Sequence, residues 1–167
     1  HAVELARDTV QQVAADTHRR WADFLNDRVG GLLNAMGHGA QQLRFGDDLD
    51  FSVRIGNGQQ LARGKADVQL SAGARDQLYL AVRLAVSEFL SRGGDPVPFL
   101  LDDVFTPSDD ERTRAGMKLL IEQFARDHQV LLLTCHRKRF EALAAMDPEL
   151  YRERIHWVDA AAFTRAS

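Results

Sequence analysis

The chain has 167 residues, of which 45% are hydrophobic, and its formal net charge at pH 7 is −3. This length and apolar content suffice for one hydrophobic core and predict a single globular domain. The small negative charge argues against a generally basic nucleic-acid-binding protein, although it leaves a local basic patch open. The one cysteine, Cys135, excludes an intramolecular disulfide and favours the cytoplasm over secretion. No apolar run of about 18 residues predicts a membrane span, and a first residue other than methionine, inside a predicted helix, indicates an excised fragment.

The first predicted element is a long helix from Val3 to Met36, with apolar residues at helical spacing and an end at Gly37 and Gly39. Its early part has few large apolar residues and many Asp, Arg and Gln residues. We therefore expect it to leave the globule for solvent or for a coiled-coil partner. An ordinary surface helix is the alternative.

Residues 42–45 and 49–55 alternate apolar and polar side chains, which predicts two strands of a small antiparallel sheet. The sequence of residues 58–66 is similar to the motif of a phosphate-binding loop, but it has one residue too many between its glycines. Ala66 also stands where that loop needs a hydroxyl group. Gly-Asn-Gly at residues 56–58 instead predicts a hairpin turn. No Gly-x-x-x-x-Gly-Lys-[Ser/Thr] motif occurs in the sequence.

An apolar stripe predicts a helix over residues 74–91, which ends at two glycines. Residues 97–101 and 130–133 are short continuous apolar runs, which are typical of parallel strands covered on both faces. Residues 109–127 predict the helix that crosses between these strands in a right-handed βαβ unit. Its inward side chains are expected to be Met117, Leu120, Ile121 and Phe124.

A further helix over residues 138–145 and a strand near residues 155–158 continue the alternation. This order predicts an α/β fold with a mostly parallel sheet and flanking helices. We interpret Trp21 and Trp157 as packing residues. Because the strand before Cys135 is apolar, we expect that thiol to be buried and inert.

Candidate functional residues lie where these elements begin or end. Ser71 and Gly73 form a turn that opens the helix over 74–91, and the backbone N–H groups and positive dipole end of such a turn suit an anion. Asp102 and Asp103 end the first parallel strand. Two adjacent acids there are costly to bury unless a cation or a donor neutralises one of them, and carboxylates suit magnesium.

Each candidate also has a plain structural interpretation. Ser71 and Asp109 are good helix N-caps, and such a cap contributes about 1 kcal/mol to stability. Asp102 and Asp103 can cap the loop between a strand and a helix. A histidine such as His136 is, by itself, more often an ordinary surface or core residue.

Four motifs in this order resemble the C-terminal half of the ABC-type ATPase heads of structural-maintenance-of-chromosomes (SMC) proteins and of related double-strand-break-repair and RecN-like ATPases. The family signature Leu-Ser-Gly-Gly is matched by Leu-Ser-Ala-Gly at residues 70–73, and Walker B is matched by residues 99–103. The D-loop is matched by Ser108 and Asp109, and the switch histidine by His136. Arg-Asp-Gln-Leu-Tyr-Leu-Ala, at residues 75–81, looks particularly like the YhaN-like branch.

The resemblance implies catalytic roles for three of these residues. Asp102 is expected to hold Mg2+ through its water shell, and Asp103 to orient or deprotonate the water that attacks the γ-phosphate of ATP. His136 is expected to contact the departing γ-phosphate. Most such heads carry Glu at the position of Asp103, so the second carboxylate is one methylene shorter in this chain.

The resemblance further implies that two heads sandwich the nucleotides. Ser71 and Gly73 are expected to bind the γ-phosphate of ATP held by the second head, and Asp109 to reach across the same interface. Residues 1–36 then correspond to the end of a coiled coil, and residues 37–167 to the C-terminal lobe. The Walker A lobe is absent, so we expect this chain alone to bind ATP at millimolar affinity or worse, and not to hydrolyse it.

Three functions fit these observations. The resemblance favours an ATPase in DNA double-strand-break repair or chromosome maintenance, cytoplasmic and nucleoid-associated if bacterial. For the full-length protein it implies DNA and a nuclease or other repair protein as partners. An ABC-transporter nucleotide-binding domain and a hydrolysis-deficient structural dimerisation module are the alternatives. The basic clusters at Arg19-Arg20 and at residues 137–139 are more simply explained as charged helix faces.

Overall fold

The computed structural model describes residues 2–37 and 42–161, and the chain divides into two compact units, His1–Leu133 and Thr134–Ser167. The elements of the first unit, in chain order, are α1 (Ala2–Ala35), β1 (Gln42–Phe45), β2 (Phe51–Arg54), β3 (Gln60–Ala62), α2 (Arg63–Gln69), α3 (Ala72–Leu90), β4 (Phe99–Asp102), α4 (Asp110–Leu119) and β5 (Val130–Leu133). Those of the second unit are α5 (Arg137–Met146) and α6 (Pro148–Arg152).

The long helix α1 is confirmed and has two unlike halves. Every residue from Ala2 to Arg20 is exposed. The second half packs into the first unit through five buried residues, Ala22, Leu25, Val29, Leu32 and Leu33. Gly37 takes a φ of +84°, which ends the helix as predicted, whereas Gly39 lies outside the described residues.

The predicted antiparallel strands are present, and a third strand completes the sheet in the order β1-β2-β3. Leu43, Val53 and Leu61 face one another across the three strands and are buried, so this row forms the core side of the sheet. Gly58 has a φ of +82° in the turn between β2 and β3, which confirms the hairpin at residues 56–58. The sequence patterns did not predict the short helix α2.

Strands β4 and β5 pair in parallel, with α4 between them in the chain, as predicted. A π-helical turn, Leu120–Phe124, continues α4, since the N–H of Ala125 donates to the carbonyl of Leu120 at 2.8 Å. The four side chains expected to point inward, on α4 and this turn, are all buried. Phe124 meets Phe99 of β4 edge to face, with 5.6 Å between ring centroids.

The expectation that these strands are covered on both faces is wrong for the described residues. Phe99 and Leu101 are buried, whereas Leu100 is 68% exposed, and Leu131 and Leu133 are 46% and 48% exposed. Alternate residues of a strand point to opposite faces, so one face of this pair is packed and the other is open. The larger described sheet is the antiparallel one, and the parallel sheet has two strands among the described residues.

The second unit is built on α5 and α6, whose buried side chains are Phe140, Leu143 and Tyr151. The strand expected near residues 155–158 is wrong: this segment is irregular, and no described strand pairs with it. Cys135 is exposed, so the expectation that its thiol is buried is wrong. Trp157, which was interpreted as a packing residue, is 44% exposed. Among the residues that the structure describes, no helix is both long and apolar enough to cross a membrane.

Candidate functional site

The turn at Ser71 links two helices over a very short distance. Leu70 and Ser71 are both extended and are the only residues between α2 and α3. The Ser71 Oγ accepts a hydrogen bond from the N–H of Ala74 at 3.2 Å, and its carbonyl accepts one from Arg75 at 2.9 Å. Ser71 is therefore the N-cap of α3, as its plain structural interpretation predicts, and it is also exposed at the positive end of a 19-residue helix.

Gly73 brings this turn against the loop that follows β4. A Cβ atom on Gly73 would lie 2.7 Å from the carbonyl oxygen of Pro107 and 3.7 Å from the Cα of Ser108. Only a residue without a side chain allows this approach of two backbones. Ala72, which replaces the first glycine of the family signature, is exposed, so its methyl group does not enter this contact.

The paired acids at the end of β4 have different environments. Asp102 is the last residue of the strand and is exposed, so the burial cost expected for it does not arise. Asp103 is half-buried and takes a φ of +45°, which is uncommon for a residue other than glycine. Its N–H donates to the carbonyl of Leu133 at 2.9 Å, and its own carbonyl accepts from Thr106 at 3.0 Å. These two bonds hold Asp103 in a strained backbone conformation, of the kind often found at functional sites.

The loop from Asp103 to Ser108 is anchored by one aromatic side chain. Phe105 is 1% exposed, and a Cβ on Gly116 of α4 would overlap its Cε1 and lie 2.8 Å from its Cζ. The N–H of Ser108 donates to the carbonyl of Phe105 at 3.0 Å. Phe105 and Gly116 belong to none of the four sequence motifs, although a phenylalanine in the loop between a strand and a helix was a usable signal.

Asp109 begins α4 as its N-cap. Its Oδ1 accepts from the N–H of Arg112 at 2.8 Å, and its carbonyl accepts from the Thr113 hydroxyl at 2.8 Å. The side chain is exposed, and an ion pair to the Arg112 Nε at 3.5 Å accompanies the cap. Asp109 is therefore the helix N-cap that its residue type predicts.

His136 lies in the second unit, at the N-cap position of α5. It is exposed, and its backbone N–H donates to the Thr134 hydroxyl at 3.0 Å. On the same helix, the hydrogen bond from Arg137 to Glu141 at 2.7 Å raises the pKa of that guanidinium. In the first unit, the other five candidate residues lie on two segments that touch each other: the signature turn, and the strand end with the loop that follows it.

No family model matches the chain. Among curated proteins, the chain is similar to the uncharacterized protein YhaN of Bacillus subtilis (strain 168), with 37% identity over 68 residues. That match covers 41% of this chain and 7% of YhaN, so the chain spans a small part of this relative.

Among solved structures, the chain is similar to one described as the structural biochemistry of ATP-driven dimerization and DNA-stimulated activation of SMC ATPases. The TM-score is 0.57 at 16% identity, and the match covers 78% of each chain. At this level of identity the likeness is one of fold. The chain thus has the α/β fold of an SMC ATPase structure, with a long N-terminal helix and small sheets.

Proposed function

We propose that this chain is the C-terminal lobe of an SMC-like ATPase head, which binds ATP together with an N-terminal lobe and hydrolyses it when two heads associate. The observation that carries the proposal is the backbone contact of Gly73 with Pro107 and Ser108. It joins the segment that matches the family signature to the loop that matches the D-loop, within a fold similar to that of an SMC ATPase.

The acids at the end of β4 have the chemistry for magnesium. Carboxylate oxygens are the ligands that Mg2+ prefers, and it usually retains several waters. Asp102 is exposed at the strand end, where it can hold a hydrated cation through water. Bound Mg2+ would neutralise charge on the phosphates and orient them for in-line attack.

Asp103 is the proposed residue that orients or deprotonates the attacking water. Its backbone is held by Leu133 and Thr106, so the carboxylate starts from a fixed Cα position. An aspartate reaches less far than the glutamate that is usual in such heads, and the fixed backbone limits any compensation. His136 follows Leu133 by three residues in the chain and is the proposed contact to the γ-phosphate.

Ser71, Gly73 and Asp109 are the proposed contacts to the second head. The exposed N-terminus of α3 offers N–H groups and a positive dipole end, which suit the γ-phosphate of ATP held by a partner head. Asp109 is exposed on the adjoining loop and would reach across the same interface. The ATP-driven dimerization named for the similar SMC ATPases supports this arrangement.

The open face of the parallel strands supports the proposal of a missing lobe. Leu100, Leu131 and Leu133 lie on one face, next to one another by strand register, and are about half or more exposed. A contiguous apolar face of this kind usually marks an interaction surface. The N-terminal lobe of the same protein is its proposed occupant.

The first half of α1 supports a coiled coil. Val3, Ala6, Val10, Val13 and Thr17 follow one another at alternating spacings of three and four residues, and all are exposed. That spacing is the seam of a coiled coil, in which a partner helix covers the apolar residues. DNA, and a role in DNA repair or chromosome maintenance, would belong to the full-length protein.

The test is Mg2+-dependent phosphate release by this chain mixed with the N-terminal lobe of the same protein. We expect no turnover by this chain alone, turnover by the mixture, and its loss in Asp103→Asn. Asp95→Asn is the matched control, because Asp95 is an exposed carboxylate in the loop between α3 and β4. Stimulation of turnover by double-stranded DNA would distinguish this function from that of a transporter domain.

Two other outcomes of this test are informative. If the mixture binds ATP and associates but never releases phosphate, the chain belongs to a hydrolysis-deficient dimerisation module, and the short Asp103 is the first residue to examine. If the lobes neither associate nor bind ATP together, the proposed function is wrong.

A further inference from the structure

Helix α2, which immediately precedes the signature turn, has little hydrophobic anchoring of its own. It has seven residues, and Ala66 is its one buried residue. Val68 is 83% exposed. A helix this short is not stable without tertiary contacts, and polar contacts to α3 supply a part of them.

Two side chains of α3 hold α2 through a single residue, Asp67. The Tyr79 hydroxyl donates to Asp67 Oδ1 at 2.7 Å, and the Arg75 Nη1 donates to the Asp67 carbonyl at 3.0 Å. Arg75 and Tyr79 are four residues apart and therefore lie on one face of α3. We call Asp67, Arg75 and Tyr79 the Asp67 latch.

The Asp67 latch contacts the antiparallel sheet through Phe51 of β2. The Tyr79 ring meets the Phe51 ring edge to face at 6.3 Å between centroids, and the Arg63 guanidinium lies 5.5 Å from the same ring. The hydrogen bond to Asp67 raises the pKa of Tyr79 above its usual 10, and burial adds to this, whereas Arg63 acts in the opposite direction. Tyr79 thus remains a donor at neutral pH.

The signature turn lies between the latch and the loop that holds Ser108. Leu70 and Ser71 are the only residues between α2 and α3 in the chain, so a shift of α2 moves Ser71 directly. On its other side Gly73 packs against the Pro107 carbonyl so closely that there is no room for a side chain. The turn is thus held from both sides.

We propose that Asp67, Arg75 and Tyr79 are positioning residues that hold the turn of Ser71 and Gly73 in the orientation that receives the γ-phosphate of ATP from a second head. This inference rests on the proposed function for the ligand. The holding of the turn itself can be tested without any nucleotide.

The first experiment measures amide hydrogen exchange in this chain. The N–H groups of Ala74 and Arg75 bond to Ser71, so they report on the turn, and the N–H of Ala125 reports on a distant part of the unit. Tyr79→Phe removes one hydroxyl group. We expect it to speed exchange at both turn amides about 2- to 10-fold, as for the loss of one net hydrogen bond, with no change at Ala125.

Three further variants sharpen this experiment. Asp67→Ala is expected to act like Tyr79→Phe, while Asp67→Asn keeps an oxygen acceptor and should restore near-normal exchange. Ser91→Ala is the matched control, since it removes a 2.9 Å hydrogen bond from the Ser91 hydroxyl to the Ser87 carbonyl at the opposite end of α3. Unchanged exchange at the turn in Tyr79→Phe, or equal acceleration at Ala125, would overturn the proposal.

The second experiment uses heads assembled with the N-terminal lobe. Ser71 and Gly73 are proposed to contact only the nucleotide of the partner head. We therefore expect Tyr79→Phe to weaken ATP-driven head association about 2- to 10-fold and to leave ATP binding by a single head unchanged. Normal association of the Tyr79→Phe heads would overturn the positioning role. Wild-type heads that never associate would overturn the proposed function, while the exchange experiment still decides whether the latch holds the turn.

Discussion

Regular secondary structure usually packs into the core, and irregular loops usually lie at the surface. Two regions of this chain do the opposite: the loop from Asp103 to Ser108 and the first half of α1. The loop is irregular, yet Phe105 and Ser108 are buried within it. The helix from Ala2 to Arg20 is regular, yet every one of its residues is exposed. Hydrogen bonds within a helix satisfy the backbone without neighbours, whereas an irregular loop keeps its shape only through contacts with other elements.

This contrast separates two roles within one chain. The loop carries Asp103 and leads into Asp109, where the proposed chemistry needs fixed positions. The exposed half of α1 has no buried side chain in this chain, and the proposed coiled-coil partner would cover it. Substitutions in the two regions should therefore differ strongly in their effect on the free energy of unfolding.

The largest effect is expected from Phe105→Ala. Removing a buried phenylalanine leaves a cavity and frees the loop, so the free energy of unfolding should fall by about 3–5 kcal/mol. Chemical denaturation monitored by circular dichroism measures this change. A loss below about 1 kcal/mol would mean that Phe105 does not anchor the loop.

Two helical glycines are expected to give a smaller effect, and alanine at the two positions should change the free energy of unfolding in opposite directions. Gly116→Ala would place a methyl group on the Phe105 ring and should destabilise the chain by about 1–3 kcal/mol. Gly31→Ala in α1 meets no atom within 4 Å and should stabilise it by up to about 1 kcal/mol. Thermal unfolding of both variants checks the signs, and stabilisation by Gly116→Ala would contradict the described packing.

The next effect concerns the cap that ends the loop. Asp109→Ala removes the acceptor for the Arg112 N–H and should cost about 1 kcal/mol. Asp109→Asn is the control, since asparagine caps about as well. Equal destabilisation by both variants would show that the charge of Asp109, rather than its cap, stabilises α4.

The smallest effect is expected in the exposed half of α1. Leu5 is 70% exposed, so Leu5→Ala should change the free energy of unfolding of this chain by less than about 0.5 kcal/mol. Leu25, on the same helix, is 3% exposed, and Leu25→Ala should cost about 2–5 kcal/mol. Similar losses in the two variants would mean that the first half of α1 is packed in solution.

Much of the fold was predictable because its signals are local. Apolar spacing located α1, α3, α4 and α5, and Gly-Asn-Gly at residues 56–58 located the hairpin turn. Local patterns failed where a neighbour decides the outcome. Ile155, Trp157 and Val158 are residue types that suit a strand, but no described strand pairs with this segment, so it stays irregular.

The candidate residues were found from motif order, and their local geometry was only partly foreseen. Ser71 and Asp109 are the N-caps that their residue types predict. The positive φ of Asp103 and the exposure of Asp102 were not foreseen, because both depend on how β4 sits beside β5 and on what covers the strand end.

The sequence by itself located most of the longer elements, namely α1, α3, α4, α5, β4 and β5, because caps, glycines and apolar periodicity act over a few residues. Tertiary structure alone decided that Gly73 meets Pro107, that Asp67 is held by Arg75 and Tyr79, and that one face of β4 and β5 stays open. These features join residues that are distant in sequence or depend on which surfaces are covered. No local pattern encodes either condition, because both arise only when separate elements pack together.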